Sequence, residues 1–176
     1  MDYSKIKAAM RNIPGFPKPG IIFRDITPVL ADPQLFKQAV AALVAPHVGK
    51  QIKYVAAIDA RGFILGGAAA LQLGAGFIPI RKKGKLPFDV IEESYDLEYG
   101  SATLTVHVDA LQPGDKVLLI DDLLATGGTA AAAVRLLEKL GGVVAGVEFL
   151  VELTDLHGRT KLAGYPVRAA IAFEGE

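Results

Sequence analysis

Two adjacent carboxylates, Asp121 and Asp122, follow the aliphatic run Val117-Leu118-Leu119-Ile120 and precede Leu123-Leu124-Ala125-Thr126-Gly127-Gly128-Thr129. Four aliphatic residues after the turn signals Pro113-Gly114-Asp115 read as a strand buried on both faces, with the acidic pair at its end. The small, hydroxyl-rich loop that follows leads into Ala130-Ala131-Ala132-Ala133, which opens a helix. A strand feeding a helix through such a loop makes a ligand site at the carboxyl edge of an open parallel sheet. Gly127 and Gly128 let the backbone approach a ligand closely, and the N–H groups of a helix start attract an anion. Thr126 and Thr129 add hydroxyl donors. The expected chemistry is phosphate binding beside two negative charges. A helix cap needs one carboxylate, so capping alone does not account for the pair. No lysine follows the glycines at P-loop spacing, and Gly74-Ala75-Gly76 precedes a strand rather than a helix, so neither nucleotide-binding glycine fingerprint is present.

Cations fall at the ends of two other apolar stretches. Arg61 lies in Asp59-Ala60-Arg61-Gly62-Phe63, just after Tyr54 to Ile58. A guanidinium there suits a diphosphate, whose oxygens it can bind bidentately; the plainer alternative is a surface arginine paired with Asp59. Arg81, Lys82, Lys83 and Lys85 follow Phe77 to Ile80. Such a run is usually a solvated face, but at a strand's carboxyl end it is read as substrate-facing. The three histidines are scattered: His47, past the end of its helix, is expected to be solvated, His107 structural or solvated on the polar side of its strand, and His157 exposed on a polar helix. No Ser-His-Asp or metal-ligand constellation is visible, and a dedicated zinc site is not expected. Magnesium differs, because it keeps its waters and binds through substrate phosphates with few carboxylates.

The elements that must hold these groups follow from periodicity. Tyr3, Ile6, Met10 and Ile13 predict a helix over 2–13, ended by Pro14, Pro17 and Pro19, with a short strand at Ile21-Ile22-Phe23. Asp32-Pro33 starts a helix whose apolar face runs from Leu35 to Val44. Residues 83–100 have the composition of a mobile lid, and 103–108 alternate as a half-buried strand. Val134, Leu137 and Leu140 continue the helix after the phosphate loop. Strands are expected at Val143 to Val151 and Val167 to Ala172, with a short polar helix over 155–163. Alternating strands and helices imply an α/β fold, a mostly parallel central sheet flanked by helices, in one domain spanning 1–176. Lys+Arg and Asp+Glu both number 19, so net charge offers no general attraction to nucleic acid. The absence of cysteine suits the cytoplasm. Phe63 to Ile80 carries no charge, but its glycines, Gln72 and Pro79 divide it into a helix, a turn and a strand, so no membrane span is expected.

Val117 to Thr129 resembles the phosphoribosyl-diphosphate signature of the type I phosphoribosyltransferases. The likeness extends through Phe23-Arg24-Asp25-Ile26-Thr27-Pro28, Ala60-Arg61-Gly62-Phe63, Arg81-Lys82-Lys83-Gly84-Lys85-Leu86-Pro87 and Leu97-Glu98-Tyr99-Gly100. It implies that family's fold, with an N-terminal hood over 1–31 and a flexible lid over 82–100. It also implies roles. Ala125, Thr126, Gly127, Gly128 and Thr129 would take the 5′-phosphate, and Asp121 and Asp122 the ribose hydroxyls and the developing positive charge. Ala60, Arg61, Arg81, Lys82 and Lys85 would take diphosphate, often with a cis peptide matching Ala60-Arg61. Glu98 would be the general acid/base. Tyr99 and Leu123 would face substrate, as would the backbone of Ile22 and Arg24 against the base, with Phe23 nearby. Asp59 departs from the glutamate common in the family, a tolerable variation. The resemblance further implies Mg2+, a homodimer, and small-molecule substrates: phosphoribosyl diphosphate and, because Ala125 replaces an aspartate typical of the 6-oxopurine enzymes, adenine. A xanthine or guanine transferase and a non-catalytic sensor of phosphoribosyl diphosphate are the alternatives; the dozen residues before Pro14 are too few for a DNA-binding winged helix.

Overall fold

Apolar strands alternating with one-sided apolar helices fold into a sheet covered on both faces. The computed structural model describes residues 2–96 and 100–174. Its elements are α1 (Ser4–Ala9), β1 (Arg11–Pro14), β2 (Ile22–Asp25), α2 (Thr27–Ala31), α3 (Pro33–Val44), β3 (Tyr54–Ile58), α4 (Arg61–Leu73), β4 (Gly76–Lys82), β5 (Val90–Asp96), β6 (Ser101–His107), β7 (Lys116–Leu124), α5 (Gly128–Lys139), β8 (Val143–Leu153) and β9 (Val167–Phe173). Among the described residues the main sheet has the order β5-β6-β4-β3-β7-β8-β9, and β1 and β2 form a separate antiparallel pair. The five strands from β4 to β9 are mutually parallel, while β5 and β6 add an antiparallel hairpin at one edge.

The sheet's alternation decides the two cores. Val117 and Leu119 pack beneath α5, whereas Leu118 and Ile120 face α3 and α4 on the other side. β7 lies between β3 and β8, so its backbone is paired on both edges and all four aliphatic residues are fully buried. Asp32 starts α3 as expected, its Oδ1 accepting from the N–H groups of Gln34 and Leu35 at 2.8 and 2.9 Å. Phe63 to Ile80 divides between α4, a left-handed Gly74 and β4. Among the described residues no helix is long and apolar enough to cross a membrane.

Several elements differ from expectation for identifiable reasons. The first helix stops at Ala9, because Arg11 to Pro14 pairs with β2, Ile13 opposite Phe23, and the residue before a proline is biased toward extended backbone. β2 begins at Ile22 rather than Ile21. β7 does not end at the acidic pair but runs on to Leu124, with Leu123 and Leu124 opposite Val151 and Glu152. Within the segment expected to be a lid, 90–96 forms a full strand paired residue for residue with β6. That pairing buries Thr105 as well as Leu104 and Val106, because β6 is an inner strand with neighbours on both sides. The polar helix at 155–163 is two 3-10 turns.

His47 is the clearest reversal. It is 3% exposed rather than solvated, and its Nε2 lies 2.8 Å from Glu148 Oε1 on β8. Gly146 makes room for the ring, since a Cβ there would stand 2.7 Å from His47 Cε1. Arg168 Nε is 3.9 Å from the same carboxylate oxygen. Removing one partner of a buried pair strands the other. His47→Ala should therefore lower the unfolding free energy by about 3 kcal/mol, measured by denaturant titration. A loss below about 1 kcal/mol would mean that water reaches Glu148 readily.

Candidate functional site

The register of the parallel strands brings the chemical groups to one edge. Ile58 is opposite Ile80, and Ala57 opposite Ile120, so Asp59, Arg81 and Asp121 emerge side by side where β3, β4 and β7 finish their core-forming runs. Asp59 and Asp121, with Ala60, Arg61, Lys82, Asp122 and Thr129, border a cavity of about 350 Å³ that also meets Tyr95 and Leu104. Arg81 itself stands just behind this lining, its Nε 3.3 Å from Asp59 Oδ2 and its Nη1 donating to the Lys85 carbonyl at 3.0 Å. Arg61 is paired with Asp122, not with Asp59. The plainer reading of Arg61 as a surface arginine on Asp59 is thereby replaced by an ion pair across the cleft. The cis peptide falls at Asp59–Ala60, one bond before the expected Ala60–Arg61.

Close approach of α4 to β7 depends on Gly62. A Cβ there would stand 2.7 Å from Asp121 Oδ1. Asp121 is half-buried and borders the cavity, with its carboxyl lying against the first turn of α4. Burial pushes this carboxyl well above the usual carboxylate range, and the charge of Asp122 acts in the same direction. The Asp122 N–H donating to Asp121 Oδ1 at 2.9 Å and the nearby Arg61 oppose the shift without reversing it.

The loop expected to hold phosphate joins the end of β7 to the start of α5. Asp121, Leu123, Ala125, Thr126, Gly127 and Thr129 line a bowl of about 80 Å³ at the start of α5. Gly127 has φ +77°, and a Cβ on it would stand 2.2 Å from the Gly158 carbonyl, so both conformation and space require glycine. The Gly127 carbonyl accepts from Ala131 N–H at 3.0 Å, which begins the helix and leaves the earlier N–H groups free for an anion.

The hood reaches the site through one ring. The Arg61 guanidinium lies 5.3 Å from the centre of the Phe23 ring, and Phe16 packs edge-on to Phe23 at 5.2 Å. The Arg24 side chain is directed away, donating to Asn12 Oδ1 at 2.8 Å and lying over Phe173, which leaves its backbone for any ligand contact. Asp25 is held below the ordinary carboxylate range, first by the Thr27 N–H at 2.9 Å. Lys85 and Ile22 do not border the cavity. Glu98 and Tyr99 lie outside the described residues. Tyr95 is the wall residue that sequence reasoning passed over, because Glu93 interrupts the apolar face of β5 that Ile91 and Tyr95 share.

Residues 29–168 match the phosphoribosyl transferase domain family. An adenine phosphoribosyltransferase from a Bradyrhizobium species is 58% identical over 172 residues, covering 97% of this chain and 96% of that protein. The crystal structure of adenine phosphoribosyltransferase from Rhodothermus marinus aligns with a TM-score of 0.93 at 52% identity, over 97% of this chain and 98% of that one. The Saccharomyces cerevisiae enzyme, complexed with adenine and an imino-altritol bisphosphate, aligns with a TM-score of 0.90 at 38% identity, over 95% and 97% of the two chains. An acidic strand facing cations across a cavity, on this fold, defines a phosphoribosyltransferase. The chain belongs to that family, among its adenine phosphoribosyltransferases.

Asp121 carries a test of site against scaffold. A carboxyl whose pKa is higher in the folded state costs stability once pH passes its unfolded value, near 3.9, and the cost grows until the folded value is reached. Asp121→Asn removes that cost. The variant should melt higher than the parent at pH 8, with the difference vanishing near pH 4, while turnover falls by about 10²–10³-fold. Lower melting at pH 8, or near-normal turnover, contradicts the assignment.

Proposed function

We propose that the chain transfers the phosphoribosyl group of 5-phosphoribosyl diphosphate to N9 of adenine, giving AMP and diphosphate. The observation that carries this reading is the cavity in which the Asp121-Asp122 strand faces Arg61 and Lys82, with the glycine loop of α5 beside it. A bond forms between N9 and the anomeric carbon as the carbon–oxygen bond to diphosphate breaks, its electron pair leaving on the diphosphate. Positive charge builds on the sugar as that bond loosens, by analogy with glycoside chemistry. The work of the protein is alignment and electrostatics.

The bowl from Ala125 to Thr129 holds the 5′-phosphate and Asp121 and Asp122 the ribose hydroxyls. Arg61 is committed to Asp122 in this structure. Diphosphate competes for that guanidinium, and the exchange releases the Asp122 carboxylate to the ribose at the moment substrate arrives. Lys82, Arg81 and Lys85 supply further cations to the diphosphate, and Glu98 moves the proton at the base nitrogens. Among the described residues no three carboxylate or histidine groups cluster as a metal cage. Two carboxylates in the cleft instead suit Mg2+ that keeps its waters and arrives on the substrate, where it supplies charge neutralisation to the diphosphate.

A homodimer belongs to the same proposal. Leu71 is 86% and Ile64 46% exposed, two turns apart on α4, with Phe77 beside them on β4. This apolar face continues into the site through Phe63, which packs edge-on to Phe77 at 5.5 Å and lies 5.9 Å beneath the Arg81 guanidinium. A second copy covering it would stand against the diphosphate end of the cavity. Leu71→Glu is expected to halve the mass measured by sedimentation, and an unchanged mass removes this face from the interface. A cytoplasmic setting is supported by the absence of cysteine.

Base choice tests the function itself. Adenine donates from its 6-amino group and accepts at N1, whereas hypoxanthine reverses both. A pocket built from one backbone acceptor and one donor of the β2 hood leaves buried groups unpaired with 6-oxo bases, a mismatch able to support about 10⁴-fold discrimination. Across adenine, hypoxanthine, guanine, xanthine, orotate and uracil, diphosphate release should be efficient with adenine alone. Preference for guanine or xanthine overturns the specificity, and release with no base overturns the enzymatic reading.

A further inference from the structure

Tyr95 stands between two cavities. On one side is the 350 Å³ site with Asp59, Arg61, Asp121 and Thr129; on the other a trough of about 370 Å³ lined by Ser94, Asp96, Arg135 and Lys161. No other described residue borders both. Ser94, Asp96, Arg135 and Lys161 are exposed, so the trough is open to solvent at the flank of the reaction site.

The ring's seat is built on both sides. β5 alternates, so Ile91, Glu93 and Tyr95 share the face directed at α5. Ile91 and Tyr95 pack against the core beneath that helix, and Glu93 joins both Arg135 and Lys139 on α5. At the helix start, a Cβ built on Gly128 would stand 3.5 Å from Tyr95 Cδ2, so the ring edge faces the first turn across a space that one methyl group would fill. The ring therefore stands as the partition between the two cavities, packed on the core beneath α5.

We propose that Tyr95 determines the acceptor: it is a positioning residue whose ring keeps the trough's water from the anomeric carbon, so that the purine nitrogen and not water captures the phosphoribosyl group. The inference rests on the phosphoribosyl-transfer reading. A carbon carrying developing positive charge reacts with whichever nucleophile touches it, and exclusion of water is a service a wall performs by position alone. In the leak, a water oxygen forms the bond to the anomeric carbon and the carbon–oxygen bond to diphosphate breaks with its electron pair on diphosphate. The surplus water proton passes to solvent, and ribose 5-phosphate replaces AMP as product. The barrier is the aromatic ring and not the hydroxyl, because it is the ring that meets Gly128 and the core.

The experiment measures AMP and ribose 5-phosphate together, from phosphoribosyl diphosphate, adenine and magnesium, for the parent chain and Tyr95→Phe, Tyr95→Leu and Tyr95→Ala. The parent and Tyr95→Phe should give the same low ratio of ribose 5-phosphate to AMP. Tyr95→Ala should raise that ratio at least about ten-fold, with Tyr95→Leu between. A change in folding or overall rate lowers both products together and leaves the ratio alone. An unchanged ratio in Tyr95→Ala, a Tyr95→Phe ratio as high as that of Tyr95→Ala, or loss of both products in Tyr95→Ala and Tyr95→Leu each overturns the proposal. Failure of the parent chain to form any AMP is a different result, which removes the transferase reading beneath it.

Discussion

Two carboxylates on consecutive residues of a central strand are an unfavourable thing to fold, and most of the site's architecture answers that one constraint. Successive strand residues point to opposite faces, so β7 separates the two charges and gives each a different environment. Asp122 is 7% exposed and meets Arg61. Among the described residues Asp121 has no ion-pair partner, and burial raises its pKa. The strand cannot relieve this by turning, because β3 and β8 hold it on either side. In the proposed reaction this unfavourable charge faces the ribose, where a developing positive charge would draw upon it.

The same constraint explains why small residues surround the acidic pair. Gly62 admits the first turn of α4 to Asp121, and Gly66 lets that helix lie so close to β3 that a Cβ would stand 2.5 Å from the Ala57 methyl group. On the other face Gly127 fits beneath the Gly158 carbonyl, which joins the phosphate loop to the 3-10 turn after β8. Two helices thus converge on one strand end, one offering Arg61 and one its free N–H groups. Neither could approach with ordinary side chains at those three positions.

Legibility in the sequence followed the distance over which each feature is decided. The core strand Val117 to Ile120, the Asp32 cap and the Ala125-to-Thr129 loop carry their determinants within a few neighbours, so composition and spacing suffice for them. His47 is decided by Glu148, 101 residues away, and an isolated histidine near a helix end gives no sign of it. Arg11 to Pro14 follows the helical spacing of the residues before it, yet pairing with β2 and the Arg24–Asn12 hydrogen bond draw it into a strand. Arg61 and Asp59 are neighbours in the chain, but the pairs that form are Arg61 with Asp122 and Arg81 with Asp59. Only strand order could have supplied that exchange. β5 was hidden by a different effect: Glu92, Ser94 and Asp96 are polar because they face solvent, and Glu93 breaks the apolar side of the alternation because its partners on α5 are cations.

That last feature sets the edge hairpin apart from the rest of the sheet. β3 and β7 are fixed by aliphatic burial from both sides and by hydrogen bonds on both edges. β5 has one strand neighbour, two apolar contacts through Ile91 and Tyr95, and a charged clasp at Glu93. Arg135 and Lys139 are about half exposed, so solvent screens the clasp and each pair contributes little on its own. Glu93 is nevertheless held below the ordinary glutamate range, first by Lys139 and then by Arg135, which shows that the carboxylate gains from closure even where the cations gain less. Free energies of local opening follow buried apolar area, and β5, an edge strand, contributes only Ile91 and Tyr95 to the core beneath α5. The acidic strand is thus held by burial and pairing on both sides, while the wall that carries Tyr95 is held by one strand neighbour and by charges on α5.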